Sequence, residues 1–403
     1  MTRKERREAE RATNVSSTKV NANSSSKVGI LLVFLYLIID FIPQLGAIDP
    51  MGSQWLYLSV LNLVVTVYIL LAYKDKLSLL VKRFSHNALS LAFLGFFTLC
   101  GLSFIFALNP IESLVVYARL IITLIAFFNV CILVFDRPKS IDFLLQVIVI
   151  ITLIECIPIL VTFLKSLGTS SIDVLVSNMK SSAGNKNVFA ASLVIKTPFI
   201  IYSVFRYFSF GRYILNIAAL FIIVLMIFLL NARASYLGLF VQVGMFLMFL
   251  VFYRKNTELK KIVRHFASVV IPVTIGLLVS QALISSNEKS FASSTYTTLG
   301  KRLATLSDHT ESSANARLFF WENAFKQIKE PPLTGIGYGN WKIASVKYEY
   351  GFYNDFNYSK HAHNDFIQIA AEAGVITGLI FISIFVLALI YTIRVWNSEA
   401  ELT

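Results

Sequence analysis

Two histidines set two positions apart, His361 and His363, stand in the run HAHND with Asn364 and Asp365 behind them. Imidazole titrates near neutral pH, so a histidine here is suited to take a proton from a hydroxyl as a general base. A metal pair is a second reading, but an i, i+2 spacing with no third His or Cys gives it poor support. Helix capping by Asn364 or Asp365 is a third. Guanidinium groups offer the complementary chemistry. Arg317 lies in NARLFFW, and Arg233 lies in NARAS, a turn between apolar runs too short to lift it far from a membrane boundary. Two such forks suit a diphosphate, which each can hold bidentately. A snorkelling interfacial side chain is the plainer reading of Arg233. Arg119, inside the fourth apolar run, reads either as a further diphosphate contact or as half of an intramembrane ion pair with Glu155.

Lesser candidates surround these. The run GIGYGNW, with Gly335, Gly337 and Gly339, reads as a tight backbone turn. Ahead of it, Ala316 to Ile328 places Leu318, Phe319, Trp321, Phe325 and Ile328 at the spacing of an amphipathic helix, ended by Pro331 and Pro332. In SSAGNKNVFAAS, Asn185 and Asn187 follow Gly184 where an apolar run begins. Asn side chains at a helix N-terminus suit a hydroxyl or phosphate, although a simple cap is favoured on spacing alone. Lys196 reads as a partner for a carboxylate. Asp40 and Glu372 read as packing or capping groups; Glu372 could orient His363 only if the chain bends where that helix starts.

The elements that must position these groups are membrane spans. Of 403 residues, 56% are hydrophobic and only 15% charged. Apolar runs long enough to cross a bilayer recur, which marks an all-α, polytopic transmembrane bundle. About ten spans of ~20 residues can be laid down: 28–45, 54–73, 88–108, 111–135, 141–164, 188–208, 213–230, 234–253, 262–285 and 365–393. The basic segment 1–27 precedes them as a disordered cytoplasmic N-terminus, and 394–403 follows as a cytoplasmic tail. Cationic loops (Lys74 to Arg83, Arg137 and Lys139, Arg206 and Arg212, Arg254 to Arg264) alternate with poorer ones. Cations mark the cytoplasmic side, so 286–364 becomes one large extracytoplasmic loop with short helices. The net charge of +13 is therefore a topology signal spread over loops, and a nucleic-acid partner is excluded. Cys100, Cys131 and Cys156 all fall in apolar runs and read as small core residues.

Taken together, GNKNVFAAS, NARASYLG, ARLFFWENAFKQIKEPPLTGIGYGNW and HAHNDFIQIAAEAGVITG resemble the O-antigen ligase and polymerase superfamily of bacterial envelope proteins. That resemblance covers 184–380 best. It implies a glycosyltransferase of the bacterial inner membrane that moves a glycan from an undecaprenyl-diphosphate-linked donor to an acceptor hydroxyl, with inversion and without metal or cofactor. The acceptor would be lipid A-core or another envelope molecule. By position, His363 resembles the base or acceptor-positioning residue, and Arg233 and Arg317 the pair that neutralises the leaving diphosphate. Arg119, Asn185, Asn187, His361, Asn364, Gly335, Gly337 and Trp321 would contact donor or substrate. Relatives usually carry about two further spans of ~20 residues, whereas this chain ends in SEAELT, as a fragment or a shorter bundle would. Within the superfamily, ligase-type transfer comes first, with a polysaccharide polymerase or a protein O-oligosaccharyltransferase as alternatives. A transporter or flippase lined by Arg119, Glu155 and Lys196 is the rival from another class, disfavoured because the halves show no repeat.

Overall fold

The computed structural model describes residues 27–46, 49, 51–75, 77–135, 140–180, 184–206, 209–253, 258–291, 298, 300, 312–349 and 359–401. Among the described residues there are helices and no strands. In order they are α1 (Lys27–Leu37), α2 (Gly52–Ala72), α3 (Leu77–Ser85), α4 (Ala88–Leu102), α5 (Pro110–Phe135), α6 (Ser140–Ser166), α7 (Ile172–Asn178) and α8 (Lys186–Arg206). Then come α9 (Phe210–Leu229), α10 (Arg233–Tyr253), α11 (Leu259–Ser290), α12 (Ser312–Lys329), α13 (Trp341–Ala344), α14 (Val346–Glu349), α15 (Asp365–Ala373) and α16 (Val375–Glu401). Nine of those described (α2, α4, α5, α6, α8, α9, α10, α11, α16) are long and apolar enough to span a bilayer. Leu63, Leu71 and Leu237 on these helices are 67%, 77% and 67% exposed, as faces turned to hydrocarbon would be. The chain is a multi-pass membrane protein.

Two of the expected spans come out differently. The run 28–45 is helical only as far as Leu37 and gives way to a 3-10 turn, Ile39–Phe41, just ahead of Pro43. The run 365–393 is two helices, because Gly374 takes φ +89°, a value that ends α15 before the span α16 begins. Hydropathy is blind to that break, since apolar residues continue on both sides. The N-terminal segment 1–26, the loop cations Arg137, Lys139, Arg254 and Lys255, and most of 292–311 lie outside the described residues.

The chain divides into two compact units, Met1–Val65 with Val130–Thr305, and Thr66–Asn129 with Leu306–Thr403. The first is built round α9, which is apolar on every side and is buried almost continuously from Ala219 to Leu230 against α6, α8 and α11. Gly276 lets α11 come close: a Cβ there would sit 3.1 Å from the Phe221 carbonyl oxygen. Lys196 is paired, its Nζ 2.6 Å from Glu155 and 3.6 Å from Asp40. Glu155, the partner conceived for Arg119, is thus taken by Lys196.

The second unit packs α16 against α4 and α15, and α12 against α15. The glycine turn between α12 and α13 is sewn to the α4–α5 connection. Leu108 N donates to Ile336 O at 3.0 Å, Ser113 Oγ to Tyr338 O at 2.8 Å, and Asn109 N to Asn340 Oδ1 at 2.9 Å; Ser103 Oγ accepts from Tyr338 N at 3.0 Å. These bonds satisfy turn backbone that has no helical partner.

Candidate functional site

The second unit assembles most of the chemistry-bearing residues. α12 runs on to Lys329, just before the two prolines, as its sequence requires. On it Arg317 and Phe320 are three residues apart and share a face. His363 lies over Phe320, ring centroids 5.9 Å apart and tilted by 34°. Burial holds the imidazole below its ordinary pKa; the Arg317 and His361 charges push the same way and Asp365 opposes them. His363 is thus biased towards the neutral form that can accept a proton. Its φ of +55° is in the left-handed region, rare for a side chain of this kind. Such a conformation persists only where surrounding contacts dictate it.

Those contacts can be traced. Asn364 is the N-cap of α15, its side chain accepting from Phe366 N and Ile367 N. Ala362, fully buried, donates its N–H to Gln368 Oε1 at 3.0 Å. On the other side, Ser359 N donates to the buried Glu349 at 2.8 Å, and the Ser359 hydroxyl donates to the His361 carbonyl. The histidine segment is therefore pinned at both ends.

Beside it a cavity of about 510 Å³ opens within this unit, in the size range of small-molecule sites. Its polar lining residues are Arg119, Glu112, Lys342, Lys360, His361, Asp365, Gln368 and Glu372. Phe96, Val116, Leu120, Ile369, Phe381 and Tyr338 supply apolar and aromatic lining. Lys342 is held 2.7 Å from Glu112. His363 is not among the lining residues. Gly335 and Gly337 shape the neighbouring turn, at φ +65° and +93°; a Cβ on Gly335 would fall 2.3 Å from the Glu372 carbonyl oxygen. Trp321 is half-buried, and its indole N–H has no hydrogen-bond partner among the described residues.

The remaining candidates belong to the first unit. Arg233 is half-buried and opens α10 two residues after the left-handed Asn231. The Asn185 side chain accepts from Asn187 N at 2.8 Å, so its oxygen caps α8, while Asn187 is exposed in the first turn. Sequence reasoning passed over Lys342, Lys360, Gln368 and Glu112. The two lysines carried a signal, since each adjoins a motif already singled out (Trp341 after the glycine turn, His361 in HAHND); Gln368 and Glu112 carried none.

Residues 218–382 match the O-antigen ligase family, a segment holding Arg233, α12, the glycine turn and the histidine loop. Comparison with curated proteins and with solved structures gave no match.

Proposed function

From the O-antigen ligase domain at residues 218–382, which sets this chain in the O-antigen ligase superfamily, we propose a ligase-type glycan transfer. The donor is a glycan on undecaprenyl diphosphate, the acceptor a hydroxyl of lipid A-core or another envelope molecule. The reaction runs on the outer face of the bacterial inner membrane. The observation that carries this reading is the imidazole of His363 resting on Phe320 under the charge of Arg317.

In that reaction the bond between the anomeric carbon and the diphosphate oxygen breaks as the acceptor oxygen bonds to the same carbon from the opposite side. The acceptor proton passes to His363, which is favoured as the neutral base. Negative charge grows on the departing diphosphate, where Arg317 stabilises it. The resemblance gives Arg233 the same duty. The cavity beside His361 matches the donor in kind, with cations for phosphate (Arg119, Lys342, Lys360) and an aromatic, apolar wall for the first isoprene units. The superfamily pattern needs neither metal nor nucleotide sugar, so a chelator leaves the rate unchanged.

The test is transfer in vitro from a lipid-diphosphate-linked oligosaccharide to separate acceptors. His363→Ala should lower the rate about 10²- to 10⁴-fold, the usual share of general acid–base catalysis. Wild-type rate should fall on the acid side as His363 takes up a proton, and the midpoint of that loss should lie below the ordinary 6.5 of histidine because its pKa is depressed. Ladders of longer donor-linked chains would reassign the chain to polymerisation, and product on protein to protein glycosylation. An unimpaired His363→Ala variant would sink the mechanism, and movement of donor across vesicles without transfer would favour a flippase.

A further inference from the structure

Three N–H groups converge on the side chain of Glu372. Its Oε2 accepts from Gly339 N at 2.9 Å, and its Oε1 accepts from Trp341 N at 2.9 Å and Gln368 Nε2 at 3.1 Å. Gln368 carries the connection onward, because its own oxygen accepts from the N–H of Ala362, the residue directly ahead of His363. One carboxylate thus grips the glycine turn with both oxygens and, through one glutamine, the strained end of the histidine loop. Capping of its own helix explains none of this, since Glu372 lies in the last turn of α15, its two backbone donors come from the glycine turn and the start of α13, and only Gln368 shares its helix.

We propose that Glu372 is a positioning residue for His363, acting through Gln368 to lock the left-handed backbone that presents the imidazole. This rests on the reading of His363 as the acceptor of the acceptor's proton. Only an ionised carboxylate can receive all three donors without turning a proton of its own towards one of them. Glu372 lies before the break at Gly374, outside the spans, and burial pushes it up to about 7 in spite of the three bonds. The charged and titratable groups round it are Asp365 on α15, Cys100 on α4, and Glu112 and Arg119 on α5. Tyr338 and Lys342 come from the turn side, Lys360 and His361 from the loop; α16 adds the apolar Phe381. Ionisation near pH 7 completes the cradle, so His363 is held most firmly above that value.

Two variants in the full-length protein test this, each read in two ways. The first reading is a titration of histidine ring signals by NMR, which needs no substrate. In the wild type the His363 signal should show a second inflection near pH 7, and Glu372→Gln should abolish it. Gln368→Leu, which leaves Glu372 and the turn in place, should also remove it. The second reading is transfer kinetics. Both variants should lose kcat about tenfold to a hundredfold, as misplacement of a reacting group does. Identical His363 titrations in wild type and both variants would overturn the proposal. So would parallel losses of folding and transfer at every pH with the inflection intact. A wild-type protein without transfer would refute the glycan-transfer reading, while the NMR comparison would still decide the coupling.

Discussion

The two units of this chain solve opposite problems with the same kind of helix. The first seals itself. α9 disappears into apolar side chains from α6, α8 and α11, and the Lys196 ammonium is paired with Glu155 and Asp40. Among its described residues the second shows small apolar clusters, round Phe96 and Ile384 and round Phe320 and Trp341. It relies on backbone brought against backbone at glycines, and it leaves a cavity where cations meet aromatic rings. Within a bilayer the gain from apolar contact is weak, because lipid tails are as apolar as leucine. Close packing and satisfied polar groups then decide where each unit is vulnerable. The first should fail when a charge is stranded, the second when a methyl is added.

Gly374→Ala is the sharpest break of that contrast. Gly374 has φ +89° and ψ 157°, a region open essentially to glycine, and a Cβ there would lie 2.0 Å from the Leu333 carbonyl oxygen. Its neighbour Val375 N donates to Pro332 O at 2.9 Å, so neither strand of this contact can drift away. The backbone strain costs roughly 1–3 kcal/mol, and the overpacking a similar amount. Thermal unfolding of the purified protein in detergent should show a loss of about 2–6 kcal/mol. A variant with unchanged melting would mean that the second unit does not depend on this contact.

Lys196→Met probes the first unit. Removing the ammonium strands Glu155, whose side chain is 8% exposed, beside Asp40, whose side chain is 45% exposed. Breaking a fully buried pair costs about 3–5 kcal/mol; the openness of Asp40 brings the expected loss to roughly 2–3. The double variant Lys196→Met with Glu155→Gln should recover most of it, which a cavity or packing defect would not. If the single variant melts like wild type, the cluster is solvated and the first unit is not sealed as described.

Legibility from sequence follows from the physics of each feature. Nine spans could be read because length and apolarity are local properties, and α12 because its apolar spacing and two prolines are. The division at Gly374 could not, since a left-handed glycine inside an apolar run leaves hydropathy unchanged. Lys196 could be read as needing a carboxylate, but not which one: Glu155 is 41 residues away, and an ion pair with Glu155 was one of the two readings of Arg119. The glycine turn was legible as a turn. What it presses against, Ala107, Val116 and the carbonyl of Glu372, depends on tertiary packing. The bridge from Glu372 through Gln368 was hidden for the same reason. A glutamine one turn into an amphipathic helix carries no mark in the sequence, and the bend at His363 that lets the bridge form is a backbone event.

The smallest effect is expected on the surface of α12, and it serves as the control for the other two. Lys326 Nζ lies 2.8 Å from Glu322 Oε1, one helical turn apart, with side chains 51% and 65% exposed. An exposed pair at this spacing is worth about 0.3–0.5 kcal/mol, and less as salt rises. Glu322→Gln should therefore shift unfolding by no more than about 0.5 kcal/mol and leave transfer intact, because α12 is placed by Phe320 and Ala324 against α15, not by charge. The measurement is thermal melting at low and high salt alongside the transfer assay. A loss comparable to that of Lys196→Met would show that surface charge sets the position of α12, and with it Arg317. The contrast between a unit held by sealed packing and one held by backbone contact would then have to be redrawn.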